Sequence, residues 1–189
     1  KNIFFQEYKW LKNIISNIKM NKLIYLSSSS IYYKKNHFIG SNKRKCETLI
    51  LRNIRKFKFY QIWRPFNLIG DKYYKSDHFH NTLFQKMFIE KKKKFVFKGH
   101  PNDMRAYSNV DKFVKTLIKY SKIEKSFVRD FGSLKLIKII EILKLFDKFY
   151  LKLNGENFQY KFLNKTPNIN RIKLNKSNVY NNLDPIRIF

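Results

Sequence analysis

The residues best able to do chemistry stand in two short polar segments, each following an apolar run. Ser27-Ser28-Ser29-Ser30 comes directly after Lys22 to Leu26 (KLIYL), and Arg64-Pro65-Phe66-Asn67 comes directly after Phe59 to Trp63 (FYQIW). If the runs are parallel strands, these segments lie at their carboxyl ends, where open α/β sheets hold their ligands. An ordinary polar turn also accounts for four serines, and Arg64-Pro65 can simply end a strand. The close pair His78 and His80 has only Asp77 as an acidic neighbour, so no metal site is expected. Cys46 is the single cysteine, which excludes an internal disulfide and a cysteine-based zinc site and fits a reducing cytoplasm.

Periodicity predicts the elements that place these segments. Ile3, Phe4, Trp10, Leu11, Ile14, Ile15 and Ile18 recur at helical spacing, so residues 1–19 read as an amphipathic helix. KLIYL has the composition of a buried parallel strand. A second helix is expected between Ser41 and Phe57, with Ser41 or Asn42 as N-cap and Cys46, Leu49, Ile50 and Ile54 as its apolar stripe. FYQIW is the next strand, with Arg64 to Asn67 as its loop because proline cannot continue a central ladder. That alternation is the pattern of a parallel α/β sheet. Further on, helices are expected over His80 to Ile89, Val110 to Tyr120 and Leu134 to Tyr150. Strands are expected over Lys94 to Lys98 and Ser126 to Phe131, with an edge strand over Phe158 to Phe162. The asparagine- and lysine-rich remainder is weakly structured by propensity.

The chain of 189 residues carries 41 Lys+Arg against 13 Asp+Glu, a formal net charge of +28. Such a balance can serve polyanion binding, and a non-enzymatic basic protein binding nucleic acid is the alternative to an enzyme. However, the enriched residues are Lys, Asn, Ile, Phe and Tyr, the set that A/T-rich codons encode, and the lysines are scattered. The densest run, Lys91 to Lys94, is explained as a solvated strand entrance. Nucleic acid is therefore not the expected partner. No apolar stretch approaches the ~18 residues of a membrane span.

Four ordered segments resemble the extended short-chain dehydrogenase/reductases that act as nucleotide-sugar epimerases and dehydratases. LIYLSSSSIYY, Leu23 to Tyr33, is similar to their strand and serine loop, with Ser28 at the catalytic hydroxyl and Tyr33 in place of a glycine. FIGSNKRKCETLI, Phe38 to Ile50, is similar to their Tyr-x-x-Ser-Lys-x-x-x-Glu helix start. Lys43 and Glu47 match, Asn42 replaces the serine, and Ile39 stands where the tyrosine belongs. IWRPFNLIG, Ile62 to Gly70, is the most specific match, and FVFKGHPNDMRAYSNVDKFVKTL, Phe95 to Leu117, resembles the substrate-lobe segment, with Arg105 and Asp111 matching and Ala106 replacing an aspartate. Phe131-Gly132-Ser133 and INRIKLNKSNVYNNL, 169–183, resemble the closing motifs.

The resemblance implies an α/β chain, the C-terminal part of a Rossmann-like parallel sheet over 1–72 and a small α+β substrate-binding lobe over 73–189, some of whose segments return to the sheet. It implies isomerase or lyase chemistry on a nucleotide-sugar in surface-polysaccharide sugar biosynthesis, in the cytoplasm, with NAD or NADP as cofactor. Ser28 and Lys43 take the catalytic positions. Lys43 and Phe66 hold the cofactor, and Ser28, Asn67 and Arg105 hold the substrate. In the family a tyrosinate accepts the substrate proton while the lysine four residues on lowers its pKa. Ile39 accepts none, so catalysis is expected to be impaired. Tyr32 or Tyr33 is a substitute only if it reaches in across the short loop, and neither has the required lysine spacing. Tyr8 and Lys12 do have that spacing, but they precede the serine strand.

The family's glycine-rich dinucleotide turn is missing as well, since the five glycines at 40, 70, 99, 132 and 155 are dispersed. Either a fragment of a longer enzyme or a degenerate natural product is therefore expected, the fragment being favoured, using its cofactor only when the other half is supplied and forming a homodimer through helices 1–19 and 42–56. All of this requires the Ser28 hydroxyl, the Lys43 ammonium and the Asn67 amide to meet around one cleft.

Overall fold

The computed structural model describes residues 2–32, 37–70, 79–97, 99–133 and 135–163, with side chains from residue 6 onward. Helix α1 spans Asn2–Asn17, strand β1 Lys22–Leu26, helix α2 Phe38–Arg52 and strand β2 Phe59–Pro65. Strand β3 is Asn67–Ile69, helix α3 Phe79–Phe84 with a π-helical turn over Gln85–Ile89, strand β4 Lys94–Phe97, strand β5 Met104–Arg105 and strand β6 Tyr107–Asn109. Helix α4 covers Val110–Ser121, strand β7 Phe127–Phe131, strand β8 Ile137–Lys138, helix α5 Ile139–Asn154 and strand β9 Gln159–Phe162.

Three strands in the order β1-β2-β7 form a parallel sheet, with Leu26 opposite Trp63 and Pro65 opposite Phe131. Successive side chains of a strand point to opposite faces, and both faces of this sheet are covered. Ile62 packs on one side with Leu11, Ile15, Cys46 and Ile50 from α1 and α2. Trp63 packs on the other with Phe113 of α4 and Phe131. Both Ile62 and Trp63 are fully buried, and burial of a large apolar side chain contributes roughly 1.5–3 kcal/mol. Thus α4 and β7, from the second half of the sequence, are parts of this sheet unit.

Two expected boundaries are corrected. Strand β2 does not stop before its proline but runs through Pro65. The Phe66 N–H donates to the Phe131 carbonyl, so the N–H that Pro65 lacks would face the β1 side, where β1 has already ended. No ladder requires it. Helix α5 begins at Ile139, not near residue 134, because Ile137 and Lys138 pair antiparallel with Arg105 and Met104. The Glu141 carboxylate then accepts the Lys138 backbone N–H at 3.0 Å, and Gly155, at φ 72°, closes the helix in the left-handed conformation.

The remaining elements build a second core. Parallel pairs β3-β6 and β4-β9 enclose Leu83, Met87, Phe97, Ile142, Leu143, Phe146 and Phe158 together with α3 and α5. The 169–183 motif, Tyr33 and His78 lie outside the described residues.

Candidate functional site

The Ser27 N–H donates to the Trp63 carbonyl at 2.7 Å, one residue beyond the last β1-β2 pair, and the chain then turns. The half-buried Ser28 closes that turn: its Oγ accepts the Ser30 N–H at 3.1 Å, and its carbonyl accepts the Ile31 N–H at 3.2 Å. Helix α2 abuts the turn closely. A Cβ on Gly40 would lie 2.1 Å from the Ser30 carbonyl oxygen, so only glycine permits this approach. The helix starts earlier than expected and is capped by His37 rather than Ser41 or Asn42; His37 Nδ1 accepts the Gly40 N–H at 3.1 Å.

This approach places Lys43 at the carboxyl end of β1. Its ammonium donates to the Leu26 carbonyl at 2.9 Å, pairs with Glu7 of α1 at 2.6 Å and lies 5.0 Å from the centre of the Tyr25 ring. Glu7 also accepts from the Tyr25 hydroxyl at 3.1 Å and the Asn42 amide at 2.9 Å. Ile39, one turn before Lys43 on the same helical face, is 36% exposed and brings no proton acceptor.

Behind the serine turn lies a polar chain. Buried Glu47 accepts from the Ser27 hydroxyl, from Arg64 Nε at 3.0 Å and from Arg64 Nη2 at 2.6 Å. Arg64 Nη1 donates to the Tyr32 hydroxyl at 3.0 Å, and that hydroxyl donates to the Asp130 carboxylate, 2.6 and 2.7 Å from its two oxygens. Burial pushes the Tyr32 phenol well above its ordinary range, and Asp130 adds to the shift. Burial likewise raises the Asp130 carboxyl, although the Tyr32 hydroxyl and Arg64 oppose it. For Arg64, burial works against the charge, and the Glu47 carboxylate more than restores it. Tyr32 is therefore a hydrogen-bond donor to Asp130 in this structure.

Phe66 is 3% exposed and stacks under Tyr32, ring centres 6.3 Å apart. Gly132 makes room for it, because a Cβ there would come within 2.8 Å of the Phe66 ring. Asn67 donates its amide to the Ala106 carbonyl at 2.8 Å, next to the half-buried Arg105, whose guanidinium donates to the Met104 carbonyl at 3.0 Å. Ser28 and Lys43 thus gather at the end of β1, and Asn67 and Arg105 gather around Ala106. Phe66, under Tyr32, lies on the chain between the two groups. Ser28 and Asn67 follow the carboxyl ends of β1 and β2, but the Asn67 amide is bonded to the Ala106 carbonyl. Among the described residues no hydrogen bond or ion pair links Asn67 or Arg105 to Ser28 or Lys43, so the expected meeting of the three groups is not made by direct contact.

Spacing alone did not reveal Glu7 or the pairing of Tyr32 with Asp130. The available signal was scarcity: of 13 acidic residues, Glu7, Glu47 and Asp130 are used here. Among the described residues no group of three or more metal-ligating side chains forms, and no helix is long and apolar enough to cross a membrane.

No protein-family model matches the sequence, and no curated protein matches it. Solved structures do. MoeE5, in complex with UDP-glucose and NAD, superposes with a TM-score of 0.66 at 15% identity over 84% of this chain and 56% of its own. The UDP-glucuronic acid 4-epimerase from Bacillus cereus, in complex with UDP-glucuronic acid and NAD, gives 0.66 at 20% identity over 87% and 55%. The chain has the fold of these enzymes. TunA, an NAD-dependent NDP-hexosamine 5,6-dehydratase involved in tunicamycin biosynthesis, gives 0.64 at 16% identity over 89% of this chain and 60% of its own. The expected α/β class with a Rossmann-like parallel sheet is therefore the fold observed. The chain spans little more than half the length of these neighbours.

Proposed function

We propose that this chain is the substrate-side portion of an NAD-dependent epimerase or dehydratase acting on a nucleotide-linked sugar, in the supply of sugars for surface polysaccharides in the cytoplasm. One observation carries the proposal. The Lys43 ammonium is fixed on the Leu26 carbonyl at the carboxyl end of β1, beside the Ser28 turn, on a fold shared with enzymes solved with UDP-sugars and NAD. Ser28 would bond a sugar hydroxyl or carbonyl and Asn67 the nucleotide-sugar, and Arg105 would pair with its diphosphate.

The fit to a dinucleotide is partial. Lys43 presents an ammonium suited to ribose hydroxyls, whereas the Phe66 ring, 3% exposed between Tyr32 and Gly132, does not fit a nicotinamide contact. The pyrophosphate cradle has no counterpart among the dispersed glycines, so NAD requires a cofactor-binding half from outside these residues. When bound, NAD supplies a hydride acceptor. Two features of the chain lower its catalytic power. Ile39 removes general-base help typically worth about 10²–10⁴-fold, and Glu7 offsets the charge that Lys43 would otherwise lend to a nearby phenolate.

A homodimer through α1 and the end of α2 fits the surface. Trp10, Ile14 and Ile18 form an exposed apolar stripe, 59%, 38% and 56% accessible, near which a second copy could bury Leu51 and Ile54. Trp10→Glu should then shift the sedimentation coefficient from dimer to monomer, and a monomeric parent chain would rule the interface out.

The substrate claim is tested by calorimetric titration with UDP-glucose and UDP-glucuronic acid. Saturable binding is expected, roughly tenfold weaker in Arg105→Ala because a charge-assisted bond to the diphosphate is lost. No heat at millimolar ligand would overturn the proposal.

A further inference from the structure

We infer that the outer face of α5 over residues 144–153 is a docking surface for an anionic lipid bilayer, on which the chain lies without crossing it. Three lysine–apolar pairs recur along the helix at intervals of four residues: Lys144-Leu145, Lys148-Phe149 and Lys152-Leu153. Residues four apart stack on one face of a helix, so the lysines form one stripe and the apolar side chains a second stripe beside it. The core does not account for that second stripe. It takes Ile139, Ile142, Leu143, Phe146 and Tyr150, whereas Phe149 is 48% exposed and Leu153 71%.

Net charge alone does not produce this arrangement. An excess of lysine in the composition scatters cations without regard to helical period, and it does not set them beside exposed phenylalanine and leucine. Lys144, Lys148 and Lys152 form no ion pair among the described residues. The neighbouring carboxylates are engaged: Glu141 accepts the Lys138 backbone N–H, Asp147 accepts the Phe158 N–H, and Glu156 pairs with Lys93. The helix dipole favours a cation only in the last turn, which explains Lys152 but not Lys144 or Lys148. Like charges four residues apart destabilise a helix, and an anionic surface would reverse that penalty.

The pairing of charge with exposed carbon selects the occupant. A second copy would bring one lysine stripe against another, and a nucleic acid would leave Phe149 and Leu153 in water. A bilayer satisfies both stripes: the apolar side chains enter the boundary between headgroups and acyl chains, while the lysine stems reach back to the anionic headgroups. The inference goes beyond the sugar-nucleotide reading and does not depend on it. Helix α5 starts directly after Ile137 and Lys138, whose strand partners are Arg105 and Met104. At about 1.5 Å per residue the helix carries Phe149 and Leu153 roughly 15–20 Å from that end, so docking there leaves Arg105 uncovered. The elements of the proposed homodimer, α1 and α2, take no part in this surface.

Co-sedimentation of the whole chain with lipid vesicles tests the surface. Binding is expected to phosphatidylcholine vesicles containing about one part in three phosphatidylglycerol, and roughly tenfold or more weaker binding to phosphatidylcholine alone. Phe149→Ser/Leu153→Ser keeps the charge and should weaken binding to the anionic vesicles roughly tenfold or more, whereas Val114→Ser/Ile118→Ser, on exposed positions of α4, should not. Lys148→Gln/Lys152→Gln should likewise weaken it roughly tenfold or more, and the charge-matched Lys115→Gln/Lys119→Gln on α4 far less. In Leu153→Trp, anionic vesicles should move the tryptophan emission to shorter wavelength beyond any shift of the parent, a readout that needs no destabilised variant. Equal loss in the two lysine pairs with none in Phe149→Ser/Leu153→Ser would reduce the effect to net charge and overturn the inference. So would a parent chain that binds duplex DNA but no vesicles. A Phe149→Ser/Leu153→Ser variant that binds vesicles like the parent but sediments more slowly without them would assign the face to a second copy and also overturn it.

Discussion

Glu47 shows most clearly how single residues hold this site together. Its carboxylate is buried and receives three donors, from Ser27 and from two nitrogens of Arg64, so it ties the serine turn to the end of β2. Removing one partner of a buried charge pair strands the other in a poorly solvated place, and that cost exceeds the net worth of the pair. Glu47→Gln should therefore lower stability by about 2–4 kcal/mol, read as a drop in the urea midpoint at pH 7. The exposed pair of Lys93 with Glu156, 2.8 Å apart, is the comparison. Glu156→Gln should leave the midpoint where it was, because solvent and salt screen such a pair. A Glu47→Gln midpoint equal to that of the parent would mean the Ser27-Glu47-Arg64 contacts contribute nothing net.

At the level of elements, the N-terminus of α2 depends on an unusual cap whose strength follows pH. Only a neutral imidazole with a lone pair on Nδ1 can accept the Gly40 N–H, and burial, aided by the nearby Arg44, lowers the His37 pKa below its ordinary 6.5. An imidazole with a lowered folded-state pKa prefers to be neutral in the folded chain, so its contribution is complete above the unfolded value and is lost as the pH falls through the folded one. The urea midpoint should thus hold between pH 8 and 7 and decline below about 6.5. His37→Asn, which retains a capping acceptor without titrating, should flatten part of that decline, while His37→Ala should cost about 1 kcal/mol at pH 8. An unchanged pH profile in His37→Asn would assign the decline to other groups. The same helix marks what the sequence could and could not reveal. Long periodic segments such as α1, α4 and the KLIYL strand were legible because burial on a fixed face dictates their spacing. The start of α2 was not, since Ser41 and Asn42 look like better caps than histidine, and only the Gly40 contact with Ser30 explains why the helix begins earlier. Strands β3, β5, β6 and β8 are two or three residues long, too short for alternation to register, and β8 borrowed residues that fit the apolar period of α5. At the site, the apolar runs implied that Ser28 and Asn67 follow strand ends, Lys43 was singled out only by the family resemblance and comes from α2, and Glu7 comes from a helix whose pattern announces only a core face.

For the molecule as a whole, the excess of cations sets a condition that every local contact has to meet. With 41 basic and 13 acidic residues, each acid has roughly three cations competing for it. The fold assigns Glu7 to Lys43 and Glu47 to Arg64, which leaves fewer acids to offset the remaining cations. Salt weakens attraction and repulsion alike, and the screening length falls from about 10 Å at 0.1 M to about 3 Å at 1 M. Partly buried pairs are screened least, so the added salt acts mainly on the exposed repulsions. Stability should accordingly rise when sodium chloride is increased from 0.02 to 0.5 M. Urea, being uncharged, is the denaturant that exposes this, with a higher midpoint and an unchanged slope as the expected result. A midpoint that falls with salt would show that the ion pairs outweigh the repulsion and that +28 is not a burden on the folded state.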